Sequence, residues 1–489
     1  MRLAAALIFC AALLPAELAR VEILERAPVL EGRPAGAAGA YERIKARAHF
    51  TLDPRSPANR EIRDLGLAPV NARGLVEFTA DLYLLKPAEA ARGNGTALVE
   101  APNRGGKGML ARFQYARGSR DPRTAEEFGD LWLMRQGFTL VWLGWQWDTP
   151  EGADLLRLEA PVAGRPGAPV TGVVRAEFIP EKRGTVMPLS DRGHRAYPAL
   201  PDAPATLTVR RAVEGPRRTI PASEWRFDAS RTAVEMKSGF EPGLMYELVY
   251  RAKDPRVAGV SLAAYRDLAS YLKREAMWGI RRAMAFGISQ SGRFLRTVLY
   301  HGVNAGEDGR PAYEALWADV AGAGRGSFNH RFAQASRDGY AYFNTLYPTD
   351  LFPFTDLAQT DPATGRRDGL LERTPAAMRP KVVYTNGSAE YWSRAAALIH
   401  TTPDGRADAP LPDQVRIYTL SGAQHGPGSW PPGRAAGAQN LANPLDHRPF
   451  QRAVLAALHA WVRDGVEPPE SVYPRLERGE LTGRAGLKF

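Results

Sequence analysis

Residues 284–294 read Met-Ala-Phe-Gly-Ile-Ser-Gln-Ser-Gly-Arg-Phe, a small–x–Ser–x–small–small pattern. A serine hydroxyl is a weak nucleophile unless the backbone exposes it and a base takes its proton. The flanks supply the first condition. An apolar run (Met284, Ala285, Phe286) precedes the pattern, and a helical run (Phe294, Leu295, Val298, Leu299) follows. Strand, sharp turn and helix form a nucleophile elbow, with Ser289 at its tip in a strained conformation. Gly287, Ser291 and Gly292 are small where strand and helix would otherwise collide. The helix start beneath Ser289 offers N–H groups to a developing oxyanion. Ser291 is the rival nucleophile, but Ser289 is the serine with small residues both two before and two after. The competing reading of the pentapeptide alone is a Gly/Ser turn without chemistry.

The second condition needs a base and an acid to orient it. Two strand signals downstream, Lys381 to Thr385 and Gln414 to Leu420, each run into a loop with a candidate. After the first comes Asn386-Gly387-Ser388-Ala389-Glu390, and after the second Ser421-Gly422-Ala423-Gln424-His425-Gly426-Pro427. His425 is therefore the expected base and Glu390 its acid. His447 is the rival base. Asp404 and Asp413 are rival acids, and a helix-start acid favoured by the dipole alone is the competing reading of Glu390. An oxyanion hole takes one N–H from Gln290. The other comes from the loop Asn103–Gly106, with Gly105 expected and Arg104 next.

These loops need a sheet to hold them. Leu75 to Leu85 and Thr96 to Ala101 read as strands, Thr124 to Arg135 as a helix, and Phe138 to Leu143 as a buried strand. Strand, Gly-rich loop, helix and strand make a βαβ unit and hence a parallel sheet. From about 149 to 253 short alternating runs (Val173–Ile179, Thr206–Val213, Met245–Arg251) predict a β-rich insertion. Helix Ala263 to Lys273 then returns the chain to the elbow strand. Ala315 to Ala321 reads as another strand, and a last helix spans about Pro449 to Asp464.

The chain opens Met1-Arg2, then an almost wholly apolar run from Leu3 to Leu14, then Pro15-Ala16-Glu17-Leu18-Ala19. This reads as a signal peptide over 1–19, cut after Ala16 or Ala19, with the rest a single domain over 20–489. The apolar run is too short to span a bilayer comfortably, and an uncleaved anchor is the alternative. Export to the periplasm or beyond follows. Cys10 is the only cysteine of 489 residues. A mature chain without thiols excludes a cysteine nucleophile, a Cys-ligated zinc and an iron–sulfur cluster. Net charge is +11, yet Lys and Arg occur only as scattered pairs and triplets. That argues against a nucleic-acid face and for a solvated basic surface.

The residues so far, together with several further segments, resemble the secreted alpha/beta-hydrolase domain proteins of bacteria, a largely uncharacterised family. The matching segments are Asn59-x-x-Ile62-x-Asp64-Leu65, Ala68-Pro69-x-Asn71-Ala72-x-Gly74, Pro102-Asn103-Arg104-Gly105 and Gly287-x-Ser289-Gln290-Ser291-Gly292-Arg293. They continue through Ala321-Gly322-Ala323, Arg325-Gly326-x-Phe328-Asn329, Ser388-Ala389-Glu390-Tyr391-Trp392, Gln424-His425 and Trp461-Val462-x-x-Gly465-x-x-Pro468-Pro469. The resemblance implies the α/β-hydrolase fold, a mostly parallel central sheet flanked by helices, and a Ser289–Glu390–His425 triad. It implies no substrate.

The expected function is an exported serine hydrolase of carboxylic esters that needs no metal or cofactor. Its substrate would be a small-molecule, saccharide or aromatic ester. A peptidase or amidase would use the same triad, and a non-catalytic binding protein would show a broken one. Trp142, Trp145, Trp147, Tyr391 and Trp392 either line a substrate pocket or pack in the core. Arg325 and Arg331 either hold an anionic group of the substrate or serve in ion pairs.

Overall fold

The computed structural model describes residues 17–152, 154–165, 167–336, 351–434, 438–483 and 486. Residues 1–16, with Cys10 and most of the expected leader, lie outside the described residues.

A ten-stranded sheet organises the described residues. Its strands are β1 (Leu18–Pro28), β2 (Tyr41–Leu52), β3 (Val76–Pro87), β4 (Thr96–Ala101), β5 (Thr139–Leu143), β6 (Arg282–Ile288), β7 (Ala315–Asp319), β8 (Lys381–Gly387) and β9 (Val415–Leu420). The spatial order is β1-β2-β3-β5-β4-β6-β7-β8-β9, with the short strand Leu158–Glu159 paired to β3. From β5 to β9 every pairing is parallel, while β1, β2, β3 and β5 pair antiparallel. The expected mostly parallel sheet flanked by helices is thus the fold, with an antiparallel portion at β1 to β3 that the expectation did not include.

The strands alternate between two cores because successive side chains point to opposite faces. On β6, Ala283 and Ala285 face the core that holds α1 (Val260–Arg274) and α2 (Gln290–Tyr300). Met284 and Phe286 face the core of the last helix, α3 (Arg448–Asp464). Burial on both faces explains the near-continuous apolar runs of β4, β5 and β6.

The insertion is antiparallel. Strands Thr171–Phe178, Thr206–Arg210, Arg218–Thr219 and Met245–Lys253 form one four-stranded sheet, and Gly184–Pro188, Trp225–Phe227 and Ala233–Phe240 form a three-stranded one. Val174, Ala176, Leu207 and Leu248 join the core that holds α1 and α2.

Two expectations need correction. The helix expected over Thr124 to Arg135 is two short ones, Ala125–Phe128 and Trp132–Arg135. Gly129 breaks it at φ 63°, where a Cβ would collide with the Gln114 carbonyl. At the N-terminus, Leu18 and Ala19 begin β1, so a boundary at residue 19 would cut into the strand. Leu18 is fully buried, and the Glu17 carbonyl accepts the Thr51 N–H at 3.0 Å. Among the described residues no helix is long and apolar enough to cross a membrane.

Candidate active site

The parallel register brings four loops to one edge of the sheet. Ile288, at the end of β6, lies opposite Asp319 of β7, and Gly287 opposite Ala101 of β4. Gly387, at the end of β8, lies opposite Leu420 of β9. Ser289, Glu390, His425 and the loop after Ala101 therefore emerge side by side, at the edge where open parallel sheets carry their clefts.

Ser289 occupies the turn between β6 and α2 at φ 58°, ψ −114°, outside the regions a side chain favours. Its N–H donates to the Asp319 carbonyl at 2.8 Å, which holds the turn in place. Gly287 and Gly292 permit the crossing. A Cβ on Gly287 would strike the Ser291 carbonyl, and one on Gly292 would come within 2.9 Å of the Ala321 methyl group.

His425 lies in the loop after β9 with its side chain half exposed. Its Nε2 is 3.0 Å from the Ser289 hydroxyl and its Nδ1 is 2.6 Å from Glu390 Oε1. Glu390 sits in the first turn of helix Ser388–Ser393 and is fully buried. Its other oxygen accepts the Gly387 N–H at 2.7 Å, so neither carboxylate oxygen is left bare. Hydroxyl, imidazole and buried carboxylate form one hydrogen-bonded chain. In such a chain the imidazole can take the hydroxyl proton while the carboxylate stabilises the resulting cation.

The rivals sit elsewhere. Ser291 is buried inside α2. Asp404 belongs to an exposed turn, where Thr402 and the Arg406 N–H bind it. Asp413 gives its carbonyl to Arg416. His447 Nε2 is 3.0 Å from Arg112 Nη1.

Gln290 is the first residue of α2, so its N–H points out of the helix start beside Ser289. Its buried side-chain amide donates to the Ala335 carbonyl and accepts from Gln146 Nε2 at 3.0 Å. Gln146 also accepts the Arg104 N–H through Oε1 at 2.6 Å. This engagement corrects the expectation for Arg104, whose N–H already has a partner. Gly105 has φ 76°, and a Cβ there would lie 2.8 Å from the Leu156 carbonyl and 2.9 Å from Thr149 Cγ2. Gln146 thus ties the loop after β4 to the start of α2. Sequence reasoning missed it, because between Trp145 and Trp147 it reads as one more residue of a loop. Its place just past a strand end on the site's edge was the available signal.

The same loop has a second anchor. Glu100, near the end of β4, is buried and accepts N–H groups from Gly108 at 2.9 Å, from Met109 at 2.8 Å and from the Trp142 indole. Burial pushes its carboxyl up to about 7, against those three donors.

The aromatic candidates divide. Trp145 is a core residue: its indole N–H donates to the Pro102 carbonyl at 2.8 Å and its ring stacks on Phe294 at 4.3 Å. Trp142 and Trp147 are also buried, with indole N–H groups bound to Glu100 and to the Ala333 carbonyl. The Tyr391 hydroxyl is 2.8 Å from His400 Nε2 and 3.0 Å from Thr419 Oγ1, and burial pushes it up to about 12. Trp392 is 67% exposed, two residues after Glu390. Arg331 is committed to Asp64, with two bonds of 2.6 Å. Arg325 lines a separate cavity along the C-terminal half of α2, away from Ser289.

The profile of the alpha/beta hydrolase domain family matches residues 227–483. No curated protein matches the chain. Among solved structures, a glucuronoyl esterase from Solibacter usitatus is similar at 13% identity, over 82% of this chain and 81% of that one, with a TM-score of 0.31. Acetyl xylan esterase 1 from Thermoanaerobacterium sp. is similar at 10% identity, over 83% of each chain, with a TM-score of 0.31. The profile runs from the insertion through the elbow and both later loops to the residues beyond α3, and on that match the chain belongs to the alpha/beta-hydrolase domain family.

Proposed function

We propose that the protein is a serine hydrolase that cleaves carboxylic esters through an acyl-enzyme. The observation that carries the reading is the single imidazole of His425, within hydrogen-bonding distance of Ser289 on one side and of a buried carboxylate on the other. Ser289 Oγ attacks the ester carbonyl carbon while its proton passes to His425 Nε2. The oxyanion so formed is bound by the N–H groups of Gln290 and Gly105. Collapse expels the alcohol, which leaves with the proton from His425, and the acyl group stays on Ser289. Water then attacks, again giving a proton to His425, and the carboxylic acid departs as that proton returns to Ser289. Glu390 holds the imidazole in the required tautomer throughout.

The apolar run at the N-terminus supports export, so the mature enzyme would meet its ester in the periplasm or outside the cell.

Hydrolysis of p-nitrophenyl acetate against the matching anilide, on wild type, Glu390→Gln and Asp404→Asn, tests this reading. The ester should be the better substrate. Glu390→Gln should lose about 10³–10⁴-fold in turnover, and Asp404→Asn should keep it. A protein that prefers the anilide would be an amidase with the same machinery. Near-normal turnover in Glu390→Gln would remove Glu390 from the mechanism.

A further inference from the structure

α2 carries Ser289 at one end and a different feature at the other. The chain leaving β7 runs back along this helix. Arg296 Nε donates to the Gly324 carbonyl at 3.2 Å, and the Thr297 hydroxyl donates to the Arg325 carbonyl. Past that contact opens a cavity of about 540 Å³, walled by residues that include Tyr300, His301, Arg325, Asn329, His330 and Arg366. Thr297 and His301 are eight and twelve residues beyond Ser289, roughly 12–18 Å along the helix.

Arg325 is the unusual residue. Its guanidinium carbon lies over the Tyr300 ring, 3.6 Å from the centroid, and only 9% of the residue is exposed. One nitrogen, Nη2, donates to the carbonyl of Phe352 at 2.9 Å and more weakly to that of Leu351 at 3.4 Å. Among the described residues its Nε is buried without a hydrogen-bond partner and Arg325 has no carboxylate in an ion pair. Two other buried arginines are neutralised. Arg266 pairs with Asp267 at 2.6 Å and Glu307 at 3.1 Å, and Arg43 pairs with Glu25 and with Asp121 at 2.9 Å.

A buried cation without a counter-charge is costly, so the site gains when an anion enters. Among the described residues the surroundings do not supply one. Arg296 and Arg373 add positive charge beside Arg325, and Asp368, the nearby acid, is already bound by Arg366 and Arg373. Asp361, also in the wall, is held by the Ala363 N–H at 3.1 Å and the Thr364 hydroxyl at 2.6 Å. Glu61 is turned to His301 at 3.4 Å. The positive field also reaches the histidines: after burial, which is the larger cause, Arg325 lowers the pKa of both His301 and His330.

We propose that this cavity binds a small oxyanion, a phosphate or carboxylate group, with Arg325 as its anchor and His330 and Arg366 at its walls. A planar guanidinium braced by an aromatic ring presents its N–H donors in fixed directions, which suits bidentate recognition of either group. The site is separate from the serine centre and does not depend on its chemistry.

Calorimetric titration of the whole protein with inorganic phosphate and, separately, with acetate tests the proposal, with chloride at matched ionic strength as the reference. Saturable one-to-one binding with Kd below roughly 1 mM is expected for one of them. Preference for phosphate identifies a phosphoryl group, and preference for acetate a carboxylate. Arg325→Gln should weaken binding at least about tenfold, while Ser289→Ala should leave it unchanged. Should Arg325→Gln fail to fold, Arg366→Gln and His330→Gln at the walls should each weaken binding several-fold. Heat no larger than that of chloride for both anions, or equal affinity in every wall variant that folds, would overturn the proposal.

Discussion

His425 and Ser289 are 136 residues apart in the chain, yet Nε2 and Oγ lie 3.0 Å apart. The contact exists because β6 and β9 end on the same edge of one parallel sheet and each throws its loop the same way. Glu390 reaches the far side of the same imidazole from the loop between them in sequence. Three loops from separate strands meet. Those after β8 and β9 are also joined directly, by the Gly422 N–H to Ser388 Oγ at 2.8 Å and the Ala389 N–H to the Ala423 carbonyl at 3.3 Å, so the geometry is braced between the loops as well as by the sheet.

That rigidity has a checkable weak point at the elbow. A methyl group on Gly287 would strike the Ser291 carbonyl, and backbone atoms cannot swing aside as a flexible side chain can. Gly287→Ala should cost more than about 2 kcal/mol in stability and remove most activity. Thermal unfolding and ester turnover check this, and a variant with wild-type values of both would show the crossing to be looser than described.

Gln146 is expected to matter without touching substrate. It joins the Arg104 N–H to the Gln290 amide and so sets the distance between the two sides of the proposed oxyanion hole. Gln146→Leu should lower kcat about 10–100-fold with little change in KM, the split expected when only the transition state is affected. An equal rise in KM with kcat intact would assign Gln146 to substrate binding instead.

Much of this was legible in the sequence, and the exceptions have physical reasons. β6 and its elbow stand out because apolar residues, glycine and serine must occur in that order for a strand to turn into a helix around an exposed hydroxyl. His425 and Glu390 stand out because each follows a buried strand. β1 and β2 escaped notice. β2 carries Arg43, Lys45, Arg47 and His49 along one face, and this reads as a polar segment until Glu25, Asp121, Asp81 and Glu22 are seen opposite them. Trp145 and Arg104 were placed at the site on residue type and position. Whether an indole is stacked or an N–H already bonded depends on partners far away in the chain, here Phe294 and Gln146.

Glu100 makes stability depend on pH. Its folded carboxyl titrates at about 7 against an ordinary glutamate value of 4.5. Between those values the native state holds a proton that the unfolded chain has lost, so stability falls as pH rises through this window. Above it both states are ionised, and Glu100 then costs stability by remaining a buried charge. Glu100→Gln should flatten the decline in melting temperature between pH 5 and pH 8 relative to wild type. Parallel curves for the two proteins would mean that Glu100 does not titrate in this range.

The N-terminal strand bears on processing. Leu18 is buried and Glu17 bonds to Thr51, so removal of a leader after Ala16 preserves both, while removal after Ala19 would delete them. If the proposed leader is removed in the native host, the intact mass of the protein should correspond to a chain that starts at Glu17. Leu18→Ala should cost about 2–4 kcal/mol. A mature chain that starts at Arg20 with undiminished stability would contradict this account of β1.

The most direct test of the central claim is covalent. A fluorophosphonate reacts with an activated serine and leaves a stable phosphonyl adduct on its oxygen. Peptide mapping should find that adduct on Ser289 in wild type and in Ser291→Ala, and on no residue in Ser289→Ala, whose fold and melting temperature should be retained. An adduct on Ser291, or no adduct on a folded wild-type protein, would contradict the assignment of Ser289 as the nucleophile.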